Sequence, residues 1–121
     1  MSKNELMGEF EREAFCPVYH RSVELIGRRW TGAILRALMA GVHRFSDLAA
    51  TVPGMSDRML SERLKELEAE GVVLRRVIPE TPVRIEYELT EKGRALQGVI
   101  EALSQWASEW GAQEAEEART A

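Results

Sequence analysis

A single cysteine, Cys16, stands in the 121 residues, so no disulfide can form within the chain. That scarcity agrees with a reducing compartment. Histidine is as rare: His20 and His43 lie far apart, with no set of Cys, Asp or Glu at metal-ligand spacing, and no metal or other cofactor is expected. No apolar run approaches the roughly 20 residues of a membrane span, which excludes a membrane partner. The start, Met1-Ser2-Lys3-Asn4-Glu5, lacks the regions of a signal peptide, so a cytoplasmic location is expected. There is no glycine-rich phosphate loop. Ser46 with Asp47 fits a helix cap better than half of a catalytic group. Without a nucleophile or an acid–base pair in view, an enzyme is not expected.

What remains is one domain's length of chain, 45% hydrophobic and 30% charged, as in a globular protein. The net charge of −4 argues at first against a polyanionic partner. Its distribution softens that objection. Residues 1–15 carry two basic and four acidic side chains and residues 91–121 carry three and six, while 16–90 carry eleven and ten. Any anion binding by the middle would rest on a local patch instead of a global field.

The densest signal lies in Pro53-Gly54-Met55-Ser56 and the residues that follow to Gly71. Pro53-Gly54 is a turn dipeptide, Ser56 can cap the first amides of a helix, and Gly71 sits where a left-handed residue ends one. Leu60, Leu64 and Leu67 fall on one stripe at helical spacing and should be buried. Arg58, Glu62, Lys65 and Ala69 lie opposite, with Ser61 on the flank. Taken alone, such a front is commonly a solvated surface. It is also a front that a DNA major groove accepts, since Arg can bond a guanine edge twice while Ser and Lys hold phosphates. The neighbouring segments decide between the two.

Residues 1–15, polar and acidic with scattered apolar residues, read as an N-terminal arm, either mobile or a short helix packed on a partner. Cys16-Pro17 opens a helix to about Ile26, with Tyr19, Val23 and Ile26 as its inward stripe and Gly27 as its end. A second helix spans Trp30 to about Ala40, with Trp30, Ile34, Leu35 and Leu38 facing in, and Gly41 stops it. Arg44 to Ala50 is a short third helix, with Ser46 as its cap and Phe45 as a hydrophobic staple. Short helices, a turn over Val52 to Met55 and a longer helix with a polar front make a helix-turn-helix pattern.

After Gly71 the period changes. Val72 to Ile78 is rich in β-branched residues, Pro79-Glu80-Thr81-Pro82 is a turn, and Val83 to Leu89 alternates apolar with charged residues. A hairpin in that place is a wing, whose Arg75 or Arg76 and Arg84 can lie along phosphates or reach a minor groove. Thr90 should cap a last helix to about Trp110. Leu96, Val99, Leu103, Trp106 and Trp110 follow there at steps of three and four, with Ile100 and Ala107 widening the stripe. The stripe can dock on its own domain. Two tryptophans near a terminus exceed the core a small domain has left, however, so a symmetric partner is expected at these five residues. Residues 111–121 read as a frayed acidic tail.

Cys16-Pro17-Val18, Ile26-Gly27-Arg28-Arg29-Trp30, Arg44-Phe45-Ser46-Asp47-Leu48 and Pro53-Gly54-Met55-Ser56 occur in that order. Leu64-Lys65-Glu66-Leu67-Glu68-Ala69-Glu70-Gly71, Arg84-Ile85-Glu86-Tyr87-Glu88-Leu89-Thr90 and Gly93 follow at ordinary spacing. Together they resemble the HxlR-type winged helix-turn-helix transcriptional regulators over roughly 16–110. The resemblance implies a mainly α domain with a small β-hairpin and a homodimer joined through the helices at both chain ends. It also implies that the helix from Ser56 enters the major groove of double-stranded operator DNA, with the 79–83 loop as the wing. Arg58 is then the first candidate for base readout, with Ser56, Asp57, Ser61 and Glu62 around it, while Arg44, Lys65 and Arg84 serve phosphates. Arg28-Arg29 before the tryptophan, and Val83 in place of a second wing proline, depart from the family pattern.

In some members of that family a cysteine near the N-terminus senses oxidants or electrophiles, and Cys16 occupies that position. The positive end of a helix dipole favours a thiolate there. A buried small hydrophobe is the alternative for the same residue. Met39, Met55 and Met59 read first as gap fillers, although a pocket for a small-molecule effector near the dimer interface could use them. The rival function is a winged-helix module that binds only protein, which calls for a more apolar front than Arg58, Ser61, Glu62 and Lys65 provide.

Overall fold

The computed structural model describes residues 13–120. Three helices come first: α1 (Pro17–Ile26), α2 (Thr31–Met39) and α3 (Phe45–Thr51). The helix α4 (Asp57–Ala69) leads into an antiparallel hairpin of β1 (Val73–Ile78) and β2 (Arg84–Leu89). One helical turn, α5 (Glu91–Arg94), precedes the long α6 (Gln97–Thr120).

The expected stripes of α2 and α4 meet in one core. Ile34, Leu35, Leu48, Leu60 and Leu64 are fully buried, and Leu38, Leu67, Val72 and Val73 nearly so. Each such side chain contributes about 1.5–3 kcal/mol by leaving water. Tyr87 of β2 and Ile100 of α6 close the core from two further sides. Gly41 and Gly71 follow α2 and α4 with φ of +94° and +73°, the left-handed stops that an L side chain rarely adopts.

The hairpin runs in register from Val73 opposite Leu89 to Ile78 opposite Arg84. A third segment joins it. Arg44 forms an isolated antiparallel bridge with Glu86, and the Tyr87 N–H donates to the His43 carbonyl at 2.8 Å. This pairing corrects the expected cap of α3. Because Arg44 is drawn into extended backbone by β2, Arg44 takes the N-cap position without a side-chain cap bond. Phe45 becomes the first helical residue and leans on the core, and Ser46 is exposed in the first turn.

Two further expectations change. Tyr19 and Val23 were the inward stripe of α1, but both are exposed and no residue of α1 is buried. The helix touches α2, and Leu25 and Ile26 in its last turn lean on the core, so the face with Tyr19 and Val23 looks away from the domain. The single helix expected from Thr90 to Trp110 is interrupted and also longer. Thr90 Oγ1 accepts from the Gly93 N–H at 3.1 Å and caps α5, after which a Leu96 N–H to Gly93 carbonyl bond of 3.1 Å tightens the chain. Beyond Trp110, α6 continues to Thr120, where a frayed tail was expected. Ala112, Ala115 and Ala118 alternate there with glutamates, and both residue types are strong helix formers.

The α5 turn is pressed against the exit of α4. A β-carbon at Gly93 would collide with the Val72 carbonyl oxygen and stand 3.0 Å from Leu89 Cδ2. That carbonyl also accepts the Thr90 N–H at 3.0 Å, so it is not free to move. Gly93→Ala should therefore destabilise the fold by about 1–3 kcal/mol through overpacking. A lowered urea midpoint, followed by tryptophan fluorescence, is the expected result, and an unchanged midpoint would show that the turn yields.

Candidate nucleic-acid interface

The front of α4 is built outward from its cap. Ser56 is extended, with φ −76° and ψ 157°, and its Oγ accepts the Met59 N–H at 3.1 Å. Asp57 follows in the first turn, where a carboxylate complements the helix dipole. Ser56, Asp57 and Arg58 are all exposed at this end. Arg58 Nε lies 3.3 Å from Glu62 Oε1 one turn on, yet its side chain remains 88% exposed. Such a pair is weak in water and can yield the guanidinium to another acceptor. Ser61 and Glu62 are half-buried along the flank, and Lys65 is exposed.

Between α4 and the hairpin lies an open groove of about 880 Å³. Ser61, Lys65 and Glu68 form one wall, the wing from Glu80 to Arg84 with Arg75 forms the other, and Arg44 closes one side. Of the expected residues, Ser61, Lys65 and Arg44 line this groove, whereas Ser56, Asp57, Arg58 and Glu62, at the start and on the front of α4, lie outside its lining. Arg84 also reaches the groove, but its charge is already met: Nη1 is 3.3 Å from Glu80 Oε2 and Nε is 3.0 Å from Glu86 Oε1. Strand alternation separates the other two wing arginines. Arg75, opposite Tyr87, lines the groove, whereas Arg76 pairs with Glu88 at 3.1 Å. Arg75 was legible as a wing cation but not as the one that faces α4.

One residue that matters to this surface escaped the sequence reading. Arg63 is buried on the back of α4, where its Nε donates to the Arg29 carbonyl at 2.9 Å and its Nη1 to Glu66 at 2.8 Å. The signal was present: positions 60, 63, 64 and 67 share the apolar stripe, and one of them is charged.

Cys16 takes the N-cap position of α1, half-buried, and its side chain makes no cap bond. Its carbonyl accepts the His20 N–H at 2.9 Å. The nearest basic side chains along α1 are engaged by carboxylates, His20 by Glu24 and Arg21 by Glu70 at 3.0 Å. On α6, Val99, Leu103, Trp106 and Trp110 are exposed, the last two at 61% and 52%, while Leu96 leans on the chain's own core. Met55 is buried in the core, and Met39 and Met59 pack against it as gap fillers. Among the described residues no helix is long and apolar enough to cross a membrane.

A helix-turn-helix whose second helix shows a polar front beside a hairpin wing defines the winged-helix transcriptional regulators. The family model described as HxlR-like helix-turn-helix matches residues 25–115. The chain belongs to this HxlR family and is a transcriptional regulator of the helix-turn-helix type, not an enzyme. It is 54% identical over 95 residues to the HTH-type transcriptional regulator YvaP of Bacillus subtilis, covering 78% of this chain and 88% of YvaP. It is 47% identical over 95 residues to the HTH-type transcriptional regulator YodB of the same organism, covering 78% and 85%. The reduced form of YodB superposes with a TM-score of 0.69 at 47% identity, over 78% of this chain and 93% of that one. The redox regulator HypR in its oxidised form gives 0.71 at 35% identity, over 78% and 96%. YodB has also been solved after diamide treatment and bound to quinone.

The cap of α4 gives the first measurement at this surface. Ser56→Ala leaves the Met59 amide without its acceptor and should cost about 1 kcal/mol of stability, whereas Ser56→Asp should keep most of it. Equal denaturation midpoints for all three proteins would show that solvent replaces the cap.

Proposed function

We propose that this regulator binds operator DNA as a homodimer in the cytoplasm. Residues 56–70 enter the major groove, and the 79–83 loop rests on the backbone or in the minor groove. The observation that carries this proposal is the shared groove: Ser61, Lys65 and Glu68 of α4 and the wing line the same open space. Among the described residues, its cations outside any ion pair are Arg44, Lys65 and Arg75. A helix with its side chains is about 10–12 Å across, and a major groove is about 12 Å wide. The polar front speaks against a module that binds only protein.

The dimer is supported by the exposed stripe Val99, Leu103, Trp106 and Trp110, together with Val18, Tyr19 and Val23 on α1. A two-fold pair would read inverted half-sites one helical turn, about 34 Å, apart.

Arg58 reads a base, and Lys65 holds a phosphate. Arg58→Ala should cost roughly 1–3 kcal/mol at the operator and relax the preference at one position. Lys65→Ala should weaken binding to every sequence alike and lower the salt slope by about 1. Titrations of both variants against operator and shuffled duplexes, at several salt concentrations, separate these roles. The assignment fails if Arg58→Ala leaves base preference intact or Lys65→Ala leaves the slope unchanged.

The switch is a thiol. YodB and HypR have been solved in forms that differ by oxidant or quinone, and Cys16 is the one thiol this chain offers to similar chemistry. Under diamide or quinone the wild-type protein should release its operator, and Cys16→Ser should stay bound. Equal release by both proteins would assign the response to a small-molecule effector site instead.

A further inference from the structure

Arg63 lies on the face of α4 turned to the core, 8% exposed, in a stripe otherwise made of Leu60, Leu64 and Leu67. A charge in such a place is costly unless its donors find partners. Its Nε donates to the Arg29 carbonyl at 2.9 Å and its Nη1 to Glu66 Oε1 at 2.8 Å, and the same carboxylate oxygen is 3.3 Å from Arg28 Nη1. Arg28 and Arg29 belong to the link between α1 and α2. The guanidinium fork therefore fastens the middle of α4 to a segment that comes well before it in sequence.

That segment has a fixed shape. Trp30, which ends it, is the one non-glycine residue with positive φ among the described residues, at +79°. The Arg29 guanidinium carbon stands 4.7 Å from the centre of its ring. Left-handed backbone at a bulky residue persists only where the surroundings hold it. The same tryptophan reaches the entrance of α4, since a β-carbon at Gly54 would stand 3.6 Å from the indole. The segment thus lies beside the turn before α4, at Gly54, and is bonded to the middle of the helix, at Arg63; two such points constrain a direction as well as a position. Leucine burial fixes which face of α4 turns inward but is weakly directional over small tilts, whereas a forked, charged hydrogen bond is directional.

We infer that Arg63 is a positioning residue that sets the angle at which α4 presents Arg58, Ser61 and Lys65 to DNA. The inference rests on the proposed entry of α4 into the major groove. Arg63 touches no DNA itself. It acts through the helix, so its loss should alter discrimination between sequences and leave the electrostatic part of binding in place.

The test compares wild type, Arg63→Met and Glu66→Gln, each shown by circular dichroism to be folded at the assay temperature. Each is titrated across a salt series against a duplex selected from a random library by the wild-type protein, and against a shuffled duplex of equal length. Arg63→Met should keep the shuffled-duplex affinity and the salt slope while its preference for the selected duplex falls by about tenfold or more. Glu66→Gln keeps the bond to Arg29 and should lose less. An undiminished preference in folded Arg63→Met overturns the inference. If Arg63→Met does not fold, Arg63→Lys keeps the charge without the fork and carries the same two outcomes. A wild-type protein with no salt-dependent affinity for any duplex removes the DNA reading itself, and this inference with it. That result is distinct from wild-type binding combined with an indifferent variant.

Discussion

Leu60, Leu64 and Leu67 give α4 an apolar back that belongs to the centre of the core, beside Leu48 of α3 and Val73 of β1. The layout of the domain follows from this packing. Turning α4 by a single residue, about 100°, would bring leucines into water and press Arg58 or Lys65 toward the interior. Burial of the back thus decides which side chains form the front. The front needs no packing of its own, so its chemistry is free to serve another molecule.

The wing depends on the same core through Val73 and Tyr87, and it is tied to the start of α3 by the Arg44–Glu86 bridge. Within the hairpin, Arg84 answers Glu80 and Glu86 while Arg76 answers Glu88. These surface pairs add little stability, about 0–1 kcal/mol each, but they cancel most of the wing's charge. What remains uncancelled faces α4. A protein of net charge −4 can in this way keep a small cationic trough between two elements while its excess acid lies toward the chain ends.

Much of this was legible in the chain. The period of three and four in Leu60, Leu64 and Leu67, the Ser56 cap and the Gly71 stop defined α4, because each is a local signal with a local cause. The hairpin was legible from its alternation. Long-range pairing was not. Nothing near Ser46 announces that β2 will draw Arg44 into extended backbone and start α3 at Phe45. The stripe of α1 was misassigned because a helix that rests on its neighbour by one turn leaves most of its apolar residues exposed. Acidic composition hid the helix propensity of Ala112 to Thr120. Arg63 was missed because a charged residue does not count toward an apolar stripe, although its position among the leucines pointed inward. Arg75 and Arg76 needed the strand register to be told apart.

From Glu101 to Thr120, α6 runs about 30 Å beyond its last buried residue, Ile100, with Trp106 and Trp110 on its side. Apolar residues of α1 are likewise uncovered, beginning one residue from the sulfur of Cys16 and its proline. The solitary thiol carries a geometric consequence. In a homodimer with one cysteine per chain, a bond between subunits can only join Cys16 to its own symmetry mate, so it must straddle the molecular dyad with α-carbons about 5.5–6 Å apart. If the starts of the two α1 helices lie off that axis, the subunits cannot be bridged through sulfur, and each thiol is oxidised or capped by a small molecule separately from the other.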